Sequence, residues 1–272
     1  MRLAPLLLLS ALLCPAAWAQ ASDDQADLPG TADVVQNPTS ELTFDLTVAG
    51  RPVGTQTVVI RYRPSRVEGG EETRVIEIYT ELRATVAGLD KYYTSRQTAR
   101  AAGRTMSFTS VVDENGNLRE VQGRRRKDGQ WTLVVNDGVS NTVTELRRSA
   151  ANLCTLDLYD PLLHKILVDA PDRAMLVADT GVVVNGVSEE LGEIPAMIGE
   201  TEMTVERIRF EGSGLEMTFD WNLEGVPVAW EGRLLGLRVV ARVKKAPVSR
   251  AWGTTSVSSR FDDGKRIEES EL

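Results

Sequence analysis

The sequence of 272 residues is poor in the side chains that most enzymes and metal sites need. It contains one histidine and two cysteines. So few of either exclude a disulfide-dense scaffold and an ordinary zinc site, which takes several Cys or His ligands at close spacing. The sequence also contains neither a G-x-x-x-x-G-K-[ST] phosphate loop nor a G-x-S-x-G nucleophile elbow. It therefore predicts no cofactor and no metal site, and it favours a protein that is not an enzyme.

Two residues leave a nucleophilic reaction open. Cys154 lies ten residues before His164, the one histidine. Residues 152–156 are mostly apolar and place no base beside the cysteine, so we expect a buried, inert thiol. A structural or surface role is favoured for His164. A hydrolase built on acids alone remains a third alternative, although aromatic residues, which carbohydrate sites commonly use, make up only 6% of the chain.

The chain also lacks a strong charge of one sign. It has 31 Lys+Arg against 39 Asp+Glu, a net charge of −8 at pH 7. The acidic excess is concentrated in residues 20–41, which contain no base, and residues 42–247 are nearly balanced. Such a surface has no field that would attract phosphates, so nucleic acid is not an expected partner.

One basic run stands out against this background: Arg124, Arg125, Arg126 and Lys127. It lies at a predicted hairpin end, just before Asp128-Gly129. The functional interpretation is contact with anionic lipid headgroups or lipopolysaccharide, where each base near the surface contributes ~1 kcal/mol. The alternative is a solvated hairpin tip.

The first 19 residues predict a secretory signal peptide. Arg2 precedes the apolar residues 3–13, and Ala17-Trp18-Ala19 gives the small-x-small pattern of a cleavage site. The apolar run is shorter than the ~20 residues that a transmembrane helix needs, so no transmembrane span is expected. Cys14 follows Leu13 and not a small residue, which favours free export over a lipid anchor. We expect a periplasmic protein in a Gram-negative cell and a secreted one otherwise.

The remaining chain divides into three predicted parts. Residues 20–40 are polar and acidic and predict a flexible leader, because they cannot bury enough apolar surface to fix one conformation. Residues 41–247 predict an antiparallel β domain. Residues 248–272 predict a polar, partly disordered tail.

The β domain is predicted from a period of two. Leu42, Phe44, Leu46 and Val48 alternate with polar residues, as in half-buried strands, and later segments repeat the pattern. Three separators are residue pairs typical of hairpin turns: Asn115-Gly116, Asp128-Gly129 and Asp137-Gly138. The fold class is therefore mainly β, with a large curved antiparallel sheet (a half-barrel, an open barrel or a sandwich). One sheet and two subsheets remain alternatives.

One short helix is predicted near residues 160–168. Asp160 is a suitable N-cap, and Pro161 suits the first helical position. Four apolar residues then fall on one helical face: Leu162, Leu163, Ile166 and Leu167. We expect this helix to cover or plug the sheet. Residues 189–199, which contain Pro195, predict a loop.

Three segments carry a resemblance to known proteins: Phe44-Asp45-Leu46 followed by Gly50 and Gly54, Leu158-Tyr159-Asp160-Pro161, and Gly225-Val226-Pro227 before strands ending near Lys245. In strand character and spacing the chain is similar to a group of uncharacterised exported bacterial β-proteins. These resemble in architecture the half-barrel lipoprotein and lipid carriers of the Gram-negative periplasm. The resemblance implies a curved antiparallel sheet around a helix and an apolar concavity. It transfers no catalytic residue.

Two main hypotheses for function follow. The first is a non-enzymatic cell-envelope module that binds or carries an apolar or lipid-like ligand, since ligand sites are typically concavities such as a curved sheet provides. The second is a structural or interaction domain of the envelope. The expected partners are lipid or lipoprotein in the first case and envelope proteins in the second.

Overall fold

The computed structural model describes residues 39–63, 73–147, 151, 153–161 and 172–245. The predicted signal peptide, the predicted leader up to residue 38, His164 and the predicted tail lie outside the described residues. The described chain consists almost entirely of strands, which confirms a mainly β protein. They are β1 Thr39–Val48, β2 Arg51–Arg63, β3 Thr73–Val86, β4 Leu89–Ala102, β5 Arg104–Glu114, β6 Asn117–Arg125, β7 Trp131–Asn136, β8 Asn141–Leu146, β9 Leu153–Cys154, β10 Asp172–Val177, β11 Val182–Ile198, β12 Thr201–Gly212, β13 Leu215–Asn222, β14 Pro227–Leu234 and β15 Leu237–Val243.

These strands form one sheet and not two subsheets. Its order is β8-β7-β6-β5-β4-β3-β2-β1-β15-β14-β13-β12-β11-β10-β9. All neighbours are antiparallel, as predicted, except for the short parallel pair of β9 and β10. β1 and β15, the first and last of the described strands, pair at the middle of the sheet, with Phe44 opposite Val243 and Val48 opposite Val239.

The sheet curls so that its two halves enclose a common core. Tyr93 on β4 donates a hydrogen bond to Asp179, which follows β10, although these strands lie far apart in the sheet order. Gly181 lies so close to Val135 of β7 that a Cβ atom there would come within 2.8 Å of Val135 Cγ2. The inward side chains of nearly every strand belong to one buried apolar cluster, which is the core of the domain.

Several hairpins turn through residues with positive φ, because such turns match the twist of the flanking strands. Asn115-Gly116 does so with φ of 55° and 86°, as the sequence predicted. Ala49, Ala87 and Leu235 adopt the same conformation without being glycine or asparagine, at φ of 49°, 51° and 55°. In each of these turns the next residue is a glycine with positive φ (Gly50, Gly88 and Gly236), so the sequence signal lies in that glycine and not in the residue before it.

The interior is plugged by residues 153–161. They comprise β9 and a 3-10 turn, Thr155–Tyr159, in which Leu156, Leu158 and Tyr159 are all buried. Trp221 Nε1 donates to the Leu158 carbonyl oxygen at 3.3 Å, and the Tyr159 and Phe219 rings meet edge to face at 6.0 Å. The inner face of the sheet is therefore largely filled by the chain's own side chains.

The predicted helix near residues 160–168 needs correction. The helical segment that the described residues contain is this 3-10 turn, and it ends before Asp160, whose backbone is extended. Residues 162–168 lie outside the described part. The plug lies N-terminal to the predicted helix, and its apolar side chains Leu156, Leu158 and Tyr159 are all buried. A segment buried all round shows no apolar stripe, so periodicity could not reveal it.

The predicted loop over residues 189–199 is also wrong. These residues mostly continue β11, which runs to Ile198 and pairs with β12 through a register shift between Glu190 and Gly192. Within the described residues, β10 pairs with β11 only up to Val187, so Pro195 lies on an edge segment. Proline is tolerated there because its nitrogen need not donate to a second strand.

Candidate functional site

The four bases predicted to contact an anionic surface lie together at the end of β6, with Arg125 half-buried in the inward row opposite Trp131. Arg124 and Arg125 end β6, and Arg126 and Lys127 form the start of the hairpin to β7. All four line one open groove of about 970 Å³. Arg124, Arg126 and Lys127 are exposed, and Arg126 Nη2 lies 3.2 Å from Glu145 Oε1.

The floor of this groove is mixed in character. Met106, which is 37% exposed, and half-buried Val134 both line it. Arg100 stands in the same cross-strand row as Arg124, because both pair with Ser107. We call this surface the basic groove. It combines cationic edges with apolar patches, as contact with an amphiphile requires.

A second site lies inside the sheet and was missed by sequence reasoning. The inner face of β2–β5 carries a belt of polar side chains where apolar ones are expected. Gln56 stands opposite Thr80, and Thr80 opposite Ser95; in the next inward row Gln97 stands opposite Ser110. All five are buried. The signal was present in the sequence as polar residues at inward positions of alternating strands.

The β10–β11 turn brings a carboxylate to this belt. Ala178 N donates to Thr155 Oγ1 at 3.1 Å, which fixes the turn against the plug. Gly181 closes the turn at φ 69°, in the left-handed region that favours glycine. Half-buried Asp179 then accepts three hydrogen bonds: at Oδ2 from Tyr93 Oη (2.6 Å), and at Oδ1 from Ser110 Oγ (2.7 Å) and Gln97 Nε2.

A neighbouring group of hydrogen bonds completes the wall. Gln56 Nε2 donates to Thr80 Oγ1 at 3.1 Å. Gln56 Oε1 accepts from Trp230 Nε1 at 2.8 Å and from Tyr159 Oη at 3.2 Å. Together these side chains surround a cavity of about 120 Å³, which we call the Asp179 cavity. It holds several times the 10–15 Å³ that roughly one water needs, but it is smaller than the ~300–1,000 Å³ of most ligand pockets.

Burial shapes the acid–base chemistry of this region. The pKa of Tyr93 is raised well above its ordinary value near 10, first by burial and then by the charge of Asp179. Burial also raises the pKa of Tyr159. The pKa of the Cys154 thiol is raised by burial and by the charge of Asp157. Cys154 is therefore buried and unsuited to act as a thiolate nucleophile, as the sequence predicted.

The outer face of the C-terminal half carries alternating charges that pair with one another. Arg207 makes a two-point contact with Asp220, with Nε–Oδ1 and Nη2–Oδ2 both at 2.7 Å. Arg209 contacts Glu216 at 3.0 Å. Because these opposite charges pair with one another, the described residues of this face form no surface with a single sign of charge.

Two other expectations concern metals and membranes. No group of three or more His, Cys, Asp or Glu side chains in the described ranges is arranged to hold a metal ion. The acidic segment Asp113-Glu114-Asn115-Gly116 is a hairpin turn, because the Asp113 carboxylate accepts a hydrogen bond from the Gly116 backbone N–H at 2.7 Å. Among the described residues no helix is long and apolar enough to cross a membrane.

Fold and sites together define a barrel-like β-sheet protein with a plugged interior. A solved structure of this class is similar in fold: the β-barrel-like protein of domain of unknown function DUF1849 from Brucella abortus. The two share 12% sequence identity at a TM-score of 0.51, and the match covers 76% of this chain and 96% of that chain. At that identity the likeness shows the fold alone. No family model matches the sequence, and no curated protein matches it.

Proposed function

We propose that this protein is an exported, non-enzymatic binding module of the cell envelope that contacts anionic amphiphiles through the basic groove. The observation that carries the proposal is that Arg124, Arg125, Arg126 and Lys127 all line one groove that also contains apolar surface. Lipid headgroups and lipopolysaccharide offer the matching combination of negative charge and hydrocarbon.

The interior of the sheet is a weaker candidate for the lipid-binding site than the basic groove. The plug fills most of it, and the Asp179 cavity of about 120 Å³ is lined in large part by polar side chains. An acyl chain there would place the Asp179 carboxylate and the Ser95 hydroxyl oxygen against hydrocarbon, which costs free energy because hydrocarbon cannot hydrogen-bond to them. We therefore assign the lipid contact to the outer face.

The expected strength follows from the charges. Arg126 is partly committed to Glu145, and half-buried Arg125 also has interactions within the protein, so exposed Arg124 and Lys127 supply most of the attraction. At ~1 kcal/mol each near an anionic surface, these two bases increase the affinity about 30-fold. This contribution weakens as salt is raised, because the contacts are solvent-exposed.

Vesicle flotation tests the proposal. We expect the protein to float with vesicles of anionic lipid and not with zwitterionic ones. The triple variant Arg124→Gln/Arg125→Gln/Lys127→Gln should bind at least about 30-fold more weakly. A control with the same charge change, Arg51→Gln/Arg242→Gln/Lys245→Gln, removes exposed bases elsewhere and should bind normally. Equal binding to both lipid classes, or equal loss in both variants, would contradict the proposal.

Export is a separate part of the proposal, supported by the signal-like residues 1–19. We expect the native protein in the periplasmic or secreted fraction with Gln20 as its first residue. N-terminal sequencing of the protein purified from its own cell decides this point, and an intact Met1 would refute it.

A second candidate function, an interaction domain of the envelope, is favoured by strand β8. Within the described residues β8 pairs only with β7, and nearly all of its side chains are exposed, including Val143 at 65%. Such an edge can accept a strand from an envelope protein. In-cell crosslinking from residue 143 that yields one defined protein adduct would favour this candidate over lipid contact.

A further inference from the structure

We propose that the Asp179 cavity binds a small organic ammonium ion, whose N–H groups donate to the Asp179 carboxylate and to the Ser95 hydroxyl oxygen. This site is separate from the basic groove and would recognise a ligand of the opposite charge.

The first argument is that no cation contacts the Asp179 carboxylate within the described residues. The three hydrogen bonds to this carboxylate come from a phenol, a hydroxyl and an amide, all of them neutral donors. They stabilise the carboxylate without cancelling its charge. Within the described residues no Lys or Arg forms an ion pair with it. Two cations lie nearby without contacting the carboxylate: Arg119 Nη1 is 3.5 Å from the Asp179 backbone oxygen, and exposed Arg233 lines the cavity.

The second argument is an excess of acceptors over donors. A carboxylate has about four acceptor positions. Oδ1 uses two of them, and Oδ2 uses one, for Tyr93. The Ser95 side chain also lines the cavity and is 2% exposed. Its hydroxyl interacts with the Tyr93 hydroxyl, and no group in the described structure donates a hydrogen bond to its Oγ atom. These open acceptor positions suit a ligand that donates hydrogen bonds. The Tyr159 and Trp230 donors that could serve an anion are already committed to Gln56.

The third argument is the composition of the remaining wall. Tyr93, Tyr159 and Trp230 contribute aromatic rings, and Leu215 and Met217 contribute apolar surface. Aromatic rings attract organic cations through their negative faces, and apolar surface suits an alkyl group. A divalent metal ion would need about six oxygen ligands, and one carboxylate does not supply them. The volume of about 120 Å³ limits the ligand to a few heavy atoms.

Calorimetric titration of the purified full chain tests this inference. The probes are ethylammonium chloride, ethanol as its neutral isostere, propionate as an anion of similar size, and sodium chloride at matched ionic strength. We expect saturable binding of ethylammonium at least tenfold tighter than that of ethanol, and none of propionate. Absence of saturable ethylammonium binding would mean that water fills the cavity, and it would overturn the proposal. So would equal binding of sodium ion or propionate.

Two variants locate the site. Asp179→Asn keeps an oxygen acceptor but removes the charge and should weaken ethylammonium binding at least tenfold. Asp113→Asn is the matched control in an exposed hairpin, where asparagine can still accept from Gly116, and it should bind normally. Ser95→Ala should weaken binding a few-fold. If Asp179→Asn does not fold, the Ser95→Ala result and the ethylammonium-to-ethanol ratio in the unchanged protein still decide. Unchanged affinity in Ser95→Ala together with a ratio near one would overturn the proposal.

Discussion

Loss of the ion pair between Arg74 and Asp160 should destabilise the protein more than loss of any surface pair. Arg74 Nε lies 2.8 Å from Asp160 Oδ2, and the two side chains are 3% and 0% exposed. Arg74→Met would leave the Asp160 carboxylate buried without its cation, which costs about 3–5 kcal/mol. For a domain of this size that corresponds to a fall in Tm of about 6–20 °C.

Urea unfolding followed by tryptophan fluorescence measures this loss, because buried Trp221 contacts the plug at Leu158. Removing the second charge as well, in Arg74→Met/Asp160→Asn, should restore at least about 2 kcal/mol, since no uncompensated charge then remains buried. Arg61→Met breaks an exposed pair with Glu77 and should cost only ~0–1 kcal/mol. The reasoning fails if Arg74→Met costs no more than Arg61→Met, or if the double variant is less stable than the single one.

Three further predictions concern the plug, the buried phenols and one turn. Asp157 accepts from both Thr105 N and Oγ1, at 2.9 and 2.6 Å, so Asp157→Ala should cost about 3–5 kcal/mol in urea unfolding; a loss below 1 kcal/mol would contradict this. The raised pKa values of Tyr93 and Tyr159 stabilise the fold fully below pH 10, where both states keep the protons. Above pH 10 the unfolded chain ionises first, so stability should fall by up to about 2.7 kcal/mol per pH unit, and Tyr93→Phe should roughly halve that slope. Ala87→Asn should stabilise the fold by about 0.5–1 kcal/mol and raise Tm, because asparagine tolerates φ near 51° better than alanine. An unchanged Tm would contradict the idea that Ala87 is strained in this turn.

Sequence periodicity predicted most of the fold because each strand has one face inside and one outside. The alternation at Leu42, Phe44 and Leu46 therefore appears directly in burial, where all three are 3% exposed or less. The hairpin at Asn115-Gly116 was predictable because its residues themselves prefer positive φ. The turn at Leu235-Gly236 carries the same backbone with a leucine, so surrounding structure and not local preference decides it.

The interior features were not predictable in this way. The plug is buried on all sides and has no periodic stripe, and the pairing of Tyr93 with Asp179 joins residues 86 positions apart. Nothing in the local sequence of residue 179 indicates that its carboxylate meets β4 and β5. The clustering of Arg124, Arg125, Arg126 and Lys127 was easier to predict, because these residues are consecutive and lie at a hairpin end. Their contact with an anionic surface stays a prediction.

The pairing of β1 with β15 has a consequence for how the molecule is made. Among the described strands β1 is made first and β15 last, and the seam between them lies at the middle of the sheet. A chain cut short before residues 237–243 would leave the pairing edges of β1 and β14 open to other chains. Pairing of β15 with these two strands is thus the step that joins the two meanders into one sheet.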